Sequence, residues 1–263
     1  AELTDTPQSK HFSQLASLRN IYLKQLYKNV DAFCYIGESA RVHLKKLKIS
    51  PEKMFFSPYS VDNINFNKQI AEHDRYSIRK ELNLENDFVF LFSGKMIERK
   101  MPHLLAEAFL QSKTLNDSAL IMLGDGPLKK MIEEKLRPSL KDKLIMPGFV
   151  NQSQLGKYFS AADAFVLPSN YETWGLVVNE AMIFGLPVIV GSNVNCRHDL
   201  VIEQETGYVF ENNNVFSLIS KMEKLKNNET KAKNMGGKCK DLINEYSLEK
   251  SAKGIADAIK YLS

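Results

Sequence analysis

The sequence predicts an α/β fold, a doubly wound parallel sheet, and two features of it carry that expectation. From Phe88 onward, short runs that are apolar throughout recur at Phe88–Phe92, Ala119–Leu123, Leu144–Met146, Ala164–Leu167, Val188–Val190 and Gly207–Phe210. A strand with no polar face is covered on both sides, as the strands of parallel sheets are. Stretches with helical character separate these runs, and that alternation places helices on both faces of one sheet. Right-handed crossovers then make the sheet doubly wound.

Each element has its own warrant. From His11 to Lys28, Phe12, Leu15, Leu18, Tyr22 and Leu26 recur at helical spacing. Ala32–Ile36 reads as a short strand, and Gly37-Glu38-Ser39 turns it into a basic helix ending near Leu47. Met54-Phe55-Phe56 then leads to Ser57-Pro58-Tyr59-Ser60. With Asp62, Asn63, Asn65 and Asn67, the polar stretch that follows has the composition of a linker. The expected division is therefore 1–65, a linker over 66–85, a main domain over 86–246 and a C-terminal helix over 247–263. In the main domain a helix starts near Pro102, because proline suits the first helical turn. Another opens at Pro127, and a third spans Gln152 to Phe159. A fourth runs from Gly175 to Phe184 and stops at Gly185, a residue type favoured just past a helix end. Two helices, Val215–Lys226 and Leu248–Leu262, close the chain.

Composition narrows the function classes. The 263 residues suffice for one large domain or two small ones, and 44% apolar with 25% charged residues is ordinary for a soluble globular protein. A net charge of +4, spread along the chain, suits an anionic small ligand or an anionic membrane surface without demanding either. The basic stretches His43–Lys48 and Lys221–Lys240 read as solvated helix faces, so nucleic acid is not an expected partner. Three cysteines, Cys34, Cys196 and Cys239, are odd in number and lack metal-ligand spacing, which favours a reducing compartment. No apolar run approaches the ~20 residues that cross a bilayer, and the polar opening Ala1–Asp5 is unlike a signal peptide. The expectation is a cytoplasmic protein, with peripheral attachment to a membrane through the basic helix Arg41–Lys48 left open.

Ligands of a doubly wound sheet collect beyond the carboxyl ends of its strands. After the first strand of the main domain the loop reads Ser93-Gly94-Lys95-Met96-Ile97-Glu98-Arg99-Lys100. Gly94 permits a tight exit, and Lys95 and Lys100 can each approach a different phosphate of a diphosphate. A solvated basic loop accounts for the same residues. Gly124-Asp125-Gly126 can bring a ligand close to the backbone, or can be a plain strand-to-helix turn. In the segment from Pro168 to Ala181, Glu172 stands in a loop and Glu180 on the helix after it. The amides of Trp174, Gly175 and Leu176 form the free start of that helix, an anion site strengthened by the helix dipole. Acids near a helix start also have the plain explanation that they favour the first turn.

The stretch from Glu172 to Glu180 resembles the E-x7-E signature of retaining glycosyltransferases of GT-B architecture, most like glycosyltransferase family 4. Ala161–Ser169 resembles that family's lead-in strand, and Glu180-Ala181-Met182 with Gly185–Ile189 its continuation. Gly94-Lys95 with Lys100 looks like its phosphate loop. Gly124-Asp125-Gly126 and Pro147-Gly148-Phe149-Val150 fall where the family has a glycine turn and a nucleobase pocket. The similarity runs from about residue 30 to 225. It implies a Rossmann-like donor half of a GT-B enzyme, preceded by the end of an N-terminal half whose remainder, with the acceptor site and a catalytic histidine loop, is missing upstream.

The resemblance also implies roles. Glu180 would bind the ribose hydroxyls, Lys95 and Lys100 the diphosphate, and Glu172 the transferred sugar. The backbone around Thr173, Trp174, Gly175 and Leu176 would contact phosphate, Gly94, Gly124 and Gly126 would admit the donor, and Phe149 and Val150 would border the base. No metal and no cofactor are implied. The donor would be a nucleotide-diphospho-sugar, with uridine the first expectation and guanosine or adenosine the alternatives. The acceptor would be a saccharide or a lipid-linked sugar, as in polysaccharide biosynthesis. The chain alone would be inactive. Two departures stand out: Lys95 replaces the family's usual arginine and cannot form its bidentate fork, and Met101 replaces a usual glycine. His103 and His198 lie on relevant loops, but lone surface histidines more often face solvent. The competing readings are a binding module without transfer activity, a half-enzyme needing a separate acceptor-domain chain, and a sugar-nucleotide epimerase.

Overall fold

A computed structural model describes residues 13–263, with side chains from Asn20 onward apart from Asn116. His11 and Phe12 of the expected first helix lie outside the described residues. In chain order the elements are α1 (Ser13–Tyr27), β1 (Phe33–Tyr35), α2 (Glu38–Lys46), β2 (Met54–Phe56), α3 (Asn63–Glu72), α4 (Arg75–Glu81), β3 (Val89–Ser93) and α5 (Pro102–Gln111). There follow β4 (Ala119–Leu123), α6 (Lys129–Leu140), β5 (Leu144–Gly148), α7 (Leu155–Ala161), β6 (Ala164–Leu167), α8 (Leu176–Ile183) and β7 (Val188–Gly191). The last are α9 (Arg197–Leu200), β8 (Gly207–Phe210), α10 (Val215–Lys226), α11 (Glu229–Ile243) and α12 (Leu248–Leu262). No helix among the described residues is long and apolar enough to cross a membrane.

The chain forms two compact units, one of residues up to Val61 together with Glu245–Ser263, the other Asp62–Asn244. In the first unit β1 pairs in parallel with β2, Phe33 opposite Met54 and Tyr35 opposite Phe56. Helix α12 lies on β2 because Gly254 carries no side chain: a Cβ there would stand 2.0 Å from the Phe56 carbonyl oxygen. Tyr246 meets the Phe56 ring edge-on at 5.9 Å, and the Ser57 hydroxyl donates to the Ser251 carbonyl at 3.1 Å.

The second unit carries a six-stranded parallel sheet in the order β5-β4-β3-β6-β7-β8, the doubly wound topology read from the sequence. Its central strands are apolar on both faces: Val89 to Phe92 and Ala164 to Leu167 are fully buried. Phe90, Phe92, Phe109, Leu105, Met122 and Leu136 belong to one continuous core. Elsewhere Phe159 stacks on Phe165 at 6.1 Å and tilts against Phe184 at 5.2 Å.

Three expectations need correction. Residues 66–85, read as a linker, fold largely as α3 and α4. Asp62 caps the first of these by accepting from the Asn65 amide at 2.9 Å, and Asp74 caps the second through the Ser77 amide at 2.9 Å. The polar residues that suggest a linker are thus caps and exposed faces, while Phe66, Gln69, Ile78 and Arg79 are buried. A third helix, α11, stands between the two expected at the end of the chain, burying Ala232, Met235, Gly236, Cys239 and Ile243. Two helices start late: α6 at Lys129 after a turn that includes Pro127, and α7 at Leu155 after a 3-10 turn at Gln152–Gln154.

One half-buried charge ties the entry of the sheet together. Asp163 accepts from the Val89 amide at 2.8 Å and from Arg79 at 3.2 Å, and it also pairs with Arg75. Asp163→Ala leaves a strand amide unpaired and the buried Arg79 without its carboxylate. The expected loss of unfolding free energy is about 3 kcal/mol, read from urea denaturation. A loss under about 1 kcal/mol would show that this network contributes little.

Candidate functional site

The strand order reverses between β3 and β6, the place where ligands of a doubly wound sheet collect. The loops after β3, β4 and β5 are laced together through backbone. Gly94 donates to the Leu123 carbonyl at 3.0 Å, Met96 to Asp125 at 2.9 Å, and Gly124 to Gly148 at 2.8 Å. This closeness needs glycine. Gly124 has φ +123°, and a Cβ on it would lie 1.9 Å from the Gly94 carbonyl oxygen. Gly126 has φ +152°, and its Cβ would lie 2.5 Å from the Met96 carbonyl oxygen.

A cavity of about 430 Å³ sits on these loops, lined by Gly94, Lys95, Gly124, Asp125, Phe149 and Val150 with Ser93, Leu123 and Leu155. Its lining joins apolar Phe149, Val150, Leu123 and Leu155 to one cation, Lys95, and one acid, Asp125. Phe149 is 76% exposed, an apolar ring held open to solvent. Lys95 is exposed and has no ion-pair partner among the described residues. A base-sized aromatic ligand with a phosphate tail matches that distribution.

A second group assembles around Glu172, which is 7% exposed. Its amide donates to the Asn193 carbonyl at 3.3 Å and its carbonyl accepts from the Asn195 amide at 3.2 Å, so the loop is fixed along a neighbouring segment. The carboxylate lies 2.5 Å from Lys100 Nζ and 3.2 Å from Arg99 Nη1. A buried carboxylate needs such compensation. Lys100 therefore faces the acid and does not line the cavity beside Lys95.

Gly175, at φ +105°, caps α8 in a conformation that disfavours other residues. Around it Thr173 and Leu176 are exposed, while Trp174 turns inward and donates its indole N–H to Asn179 Oδ1 at 2.9 Å. The Trp174 side chain thus ties the loop to the first turn of α8. Glu180 stands one turn further on α8 and belongs to neither the cavity lining nor the ion-pair group. Burial raises its carboxyl to about 7. The two acids thus sit in opposite environments, Glu172 against two cations and Glu180 in a desolvated place. Composition and spacing pointed to Glu172, Glu180 and the glycines. They gave no sign of Arg99 on the acid, nor of Asp125 and Leu155 on the cavity wall.

The family model for glycosyl transferases group 1 matches residues 74–241. An Escherichia coli UDP-Gal:alpha-D-GlcNAc-diphosphoundecaprenol alpha-1,3-galactosyltransferase is 29% identical over 94% of this chain and 66% of its own length. An alpha-monoglucosyldiacylglycerol synthase of Acholeplasma laidlawii is 28% identical over 65% of this chain and 42% of its own. The chain therefore spans less than two thirds of either relative. Among solved structures, the Anabaena protein Alr3699/HepE in complex with UDP superposes with a TM-score of 0.78 at 17% identity, over 98% of this chain and 71% of that one. Sucrose-phosphate synthase of Thermosynechococcus elongatus does so with 0.73 at 22% identity, over 95% and 63%.

Proposed function

The chain belongs to the glycosyl transferases group 1, and from that premise we propose that it is the donor-binding half of a retaining GT-B hexosyltransferase, of the family 4 kind. The observation that carries this reading is the pairing of two sites at the strand-order reversal. An aromatic-rimmed cavity with a free lysine lies on one loop set, and a compensated buried carboxylate lies on the next. The donor is a nucleotide-diphospho-sugar, and UDP is the first nucleotide to test. It appears in the name of the Escherichia coli relative and in the Anabaena complex. The acceptor is a saccharide or lipid-linked sugar bound by a half outside this chain, which makes the chain alone inactive. Its place of work is the cytoplasmic side, at or near a membrane surface.

In this reading Phe149 and Val150 border the base, and Glu180 accepts the ribose hydroxyls. Lys95, Lys100 and the amides at Gly175 and Leu176 take the diphosphate. As the sugar departs, negative charge grows on that diphosphate, and cations already in place lower the barrier without reorganising. Glu172 orients the sugar through its hydroxyls.

Calorimetric titration of the chain with UDP, GDP and ADP, each with and without a chelator, tests the proposal. One nucleotide should bind in the micromolar-to-millimolar range and unchanged by the chelator, as expected for a cofactor-free site on a substrate's scale. A chain that is folded by near-UV circular dichroism and binds none of the three would overturn the donor-site reading.

A further inference from the structure

Glu172 is served by two different cations, one on each oxygen: Lys100 Nζ at 2.5 Å from Oε1 and Arg99 Nη1 at 3.2 Å from Oε2. Their anchorage differs. Lys100 is a point charge on a flexible stem, free to turn. Arg99 is fastened to main chain on both sides of one peptide. Its guanidinium donates to the Tyr171 carbonyl at 3.0 Å, and its own carbonyl accepts from the Asn170 amide at 2.9 Å. Asn170 is held in turn by Asn212, whose Nδ2 reaches the Asn170 carbonyl at 2.8 Å and its Oδ1 at 3.0 Å. Asn212 fits over a glycine, since a Cβ on Gly191 would stand 2.4 Å from Asn212 Oδ1. The chain Arg99–Asn170–Asn212 thus joins the loops after β3, β6 and β8.

We propose that Arg99 is a positioning residue that keeps Glu172 paired and oriented when Lys100 is drawn away to the donor diphosphate. The inference rests on the nucleotide-sugar reading of the site. A single ammonium cannot neutralise the buried acid and a diphosphate in two places at once. Without a second cation, the turn of Lys100 would strand a carboxylate that is almost wholly out of water, at considerable cost. Arg99 removes that cost, because its other bonds are to backbone that the donor does not displace. Arg99 therefore acts on nucleotide affinity only through the charge of Glu172.

A double-mutant cycle on UDP binding by the full chain reads this coupling. Arg99→Gln should weaken UDP by about tenfold where Glu172 is present, and by less than about twofold in a Glu172→Gln background, where no charge is left to compensate. Arg99→Lys, which keeps a cation, should bind UDP within about threefold of the unaltered chain. Equal losses from Arg99→Gln in both backgrounds would make Arg99 a loop prop, and no loss in either would make it a bystander. Each result overturns the inference, as does a tenfold loss on Arg99→Lys. If Arg99→Gln fails to fold, Arg99→Met, which keeps an unbranched stem and removes the charge, takes its place in the same cycle. Failure of the unaltered folded chain to bind UDP, GDP or ADP is a separate outcome that sinks the nucleotide reading, and this inference with it.

Discussion

On the proposed ribose role, Glu180→Ala should weaken nucleotide diphosphate binding by at least about 100-fold at pH 8, where two hydrogen bonds to a charged acceptor would be lost at about 1.5–3 kcal/mol each. The size of the effect depends on pH in a specific direction. Burial raises this carboxyl to about 7 from an ordinary 4.5. Below 7 the folded chain therefore holds a neutral Glu180, a poor acceptor for two hydroxyl donors. Nucleotide affinity should rise with pH up to about 7, by at most tenfold per unit, and then level off. In the Ala variant the slope should fall to that owed to the nucleotide's own terminal phosphate, which titrates near pH ~6.

The same group reports on stability with the opposite sign. Between pH 4.5 and 7 the folded chain keeps a proton that the unfolded chain has released. Stability from this group is complete below 4.5, falls as pH rises through 7 and stays lost above it. A shift of this size corresponds to about 3 kcal/mol. Glu180→Gln should therefore make the unliganded chain more stable at pH 8 by up to that amount and leave it unchanged near pH 4.5. Urea denaturation at the two pH values measures it, and equal stability of both chains at pH 8 would show that Glu180 is not desolvated. Stability given up by an unliganded group and regained with a ligand is a common arrangement at binding sites.

Gly124→Ala is expected to be the most damaging single methyl in the site. The added carbon would stand 1.9 Å from the Gly94 carbonyl oxygen and 2.8 Å from its carbon, both backbone atoms that cannot swing aside. The left-hand φ of +123° adds strain wherever the space is found. Relief requires parting the loops after β3 and β4, which breaks the hydrogen bonds of Gly94 to Leu123 and of Met96 to Asp125. The expected loss is over about 3 kcal/mol in guanidinium denaturation, together with loss of nucleotide binding. Gly237→Ala is the control. That glycine lies in α11 with nothing within 4 Å of the added carbon, and the change should be neutral or stabilising by up to about 1 kcal/mol. A Gly124 variant that behaves like the Gly237 one would refute the close packing of these loops.

Much of the fold was legible because the central strands have no polar face. Ala119–Leu123, Ala164–Leu167 and Gly207–Phe210 are found at their expected bounds. Helix α11 was not legible because three of its five buried positions are held by small or weakly apolar residues, Ala232, Gly236 and Cys239, and because Gly236-Gly237 reads as a break. Close approach explains that choice: a Cβ at Gly236 would meet the Gly185 carbonyl oxygen at 2.0 Å. Helices α3 and α4 were hidden by caps and exposed polar faces that have linker composition. At the site, residue types and spacing brought Glu172, Glu180, Lys95, Lys100 and the glycine turns into view. They placed Lys100 with Lys95 on a shared ligand, whereas in the unliganded chain Lys100 answers the nearer anion. Asn212 carried no local signal at all, since its partner Asn170 follows β6, one strand removed from β8 in the sheet order.

The reversal of strand order also fixes when the site is completed. Its two walls follow β3 and β6, neighbours in the sheet that pair Phe90 with Ala164 and Leu91 with Phe165. Strands β4 and β5 lie between them in the chain and stack outward on the other side of β3. During synthesis the half ending at Gly148 can zip β3, β4 and β5 by successive local crossovers and still lack the wall that follows β6. Closing the loop that brings β6 back to β3 is the long-range step, and such steps are slow for entropic reasons. The wall after β6, which carries Glu172, is therefore joined to the loop after β3 only once β3, β4 and β5, half of the sheet, are in place.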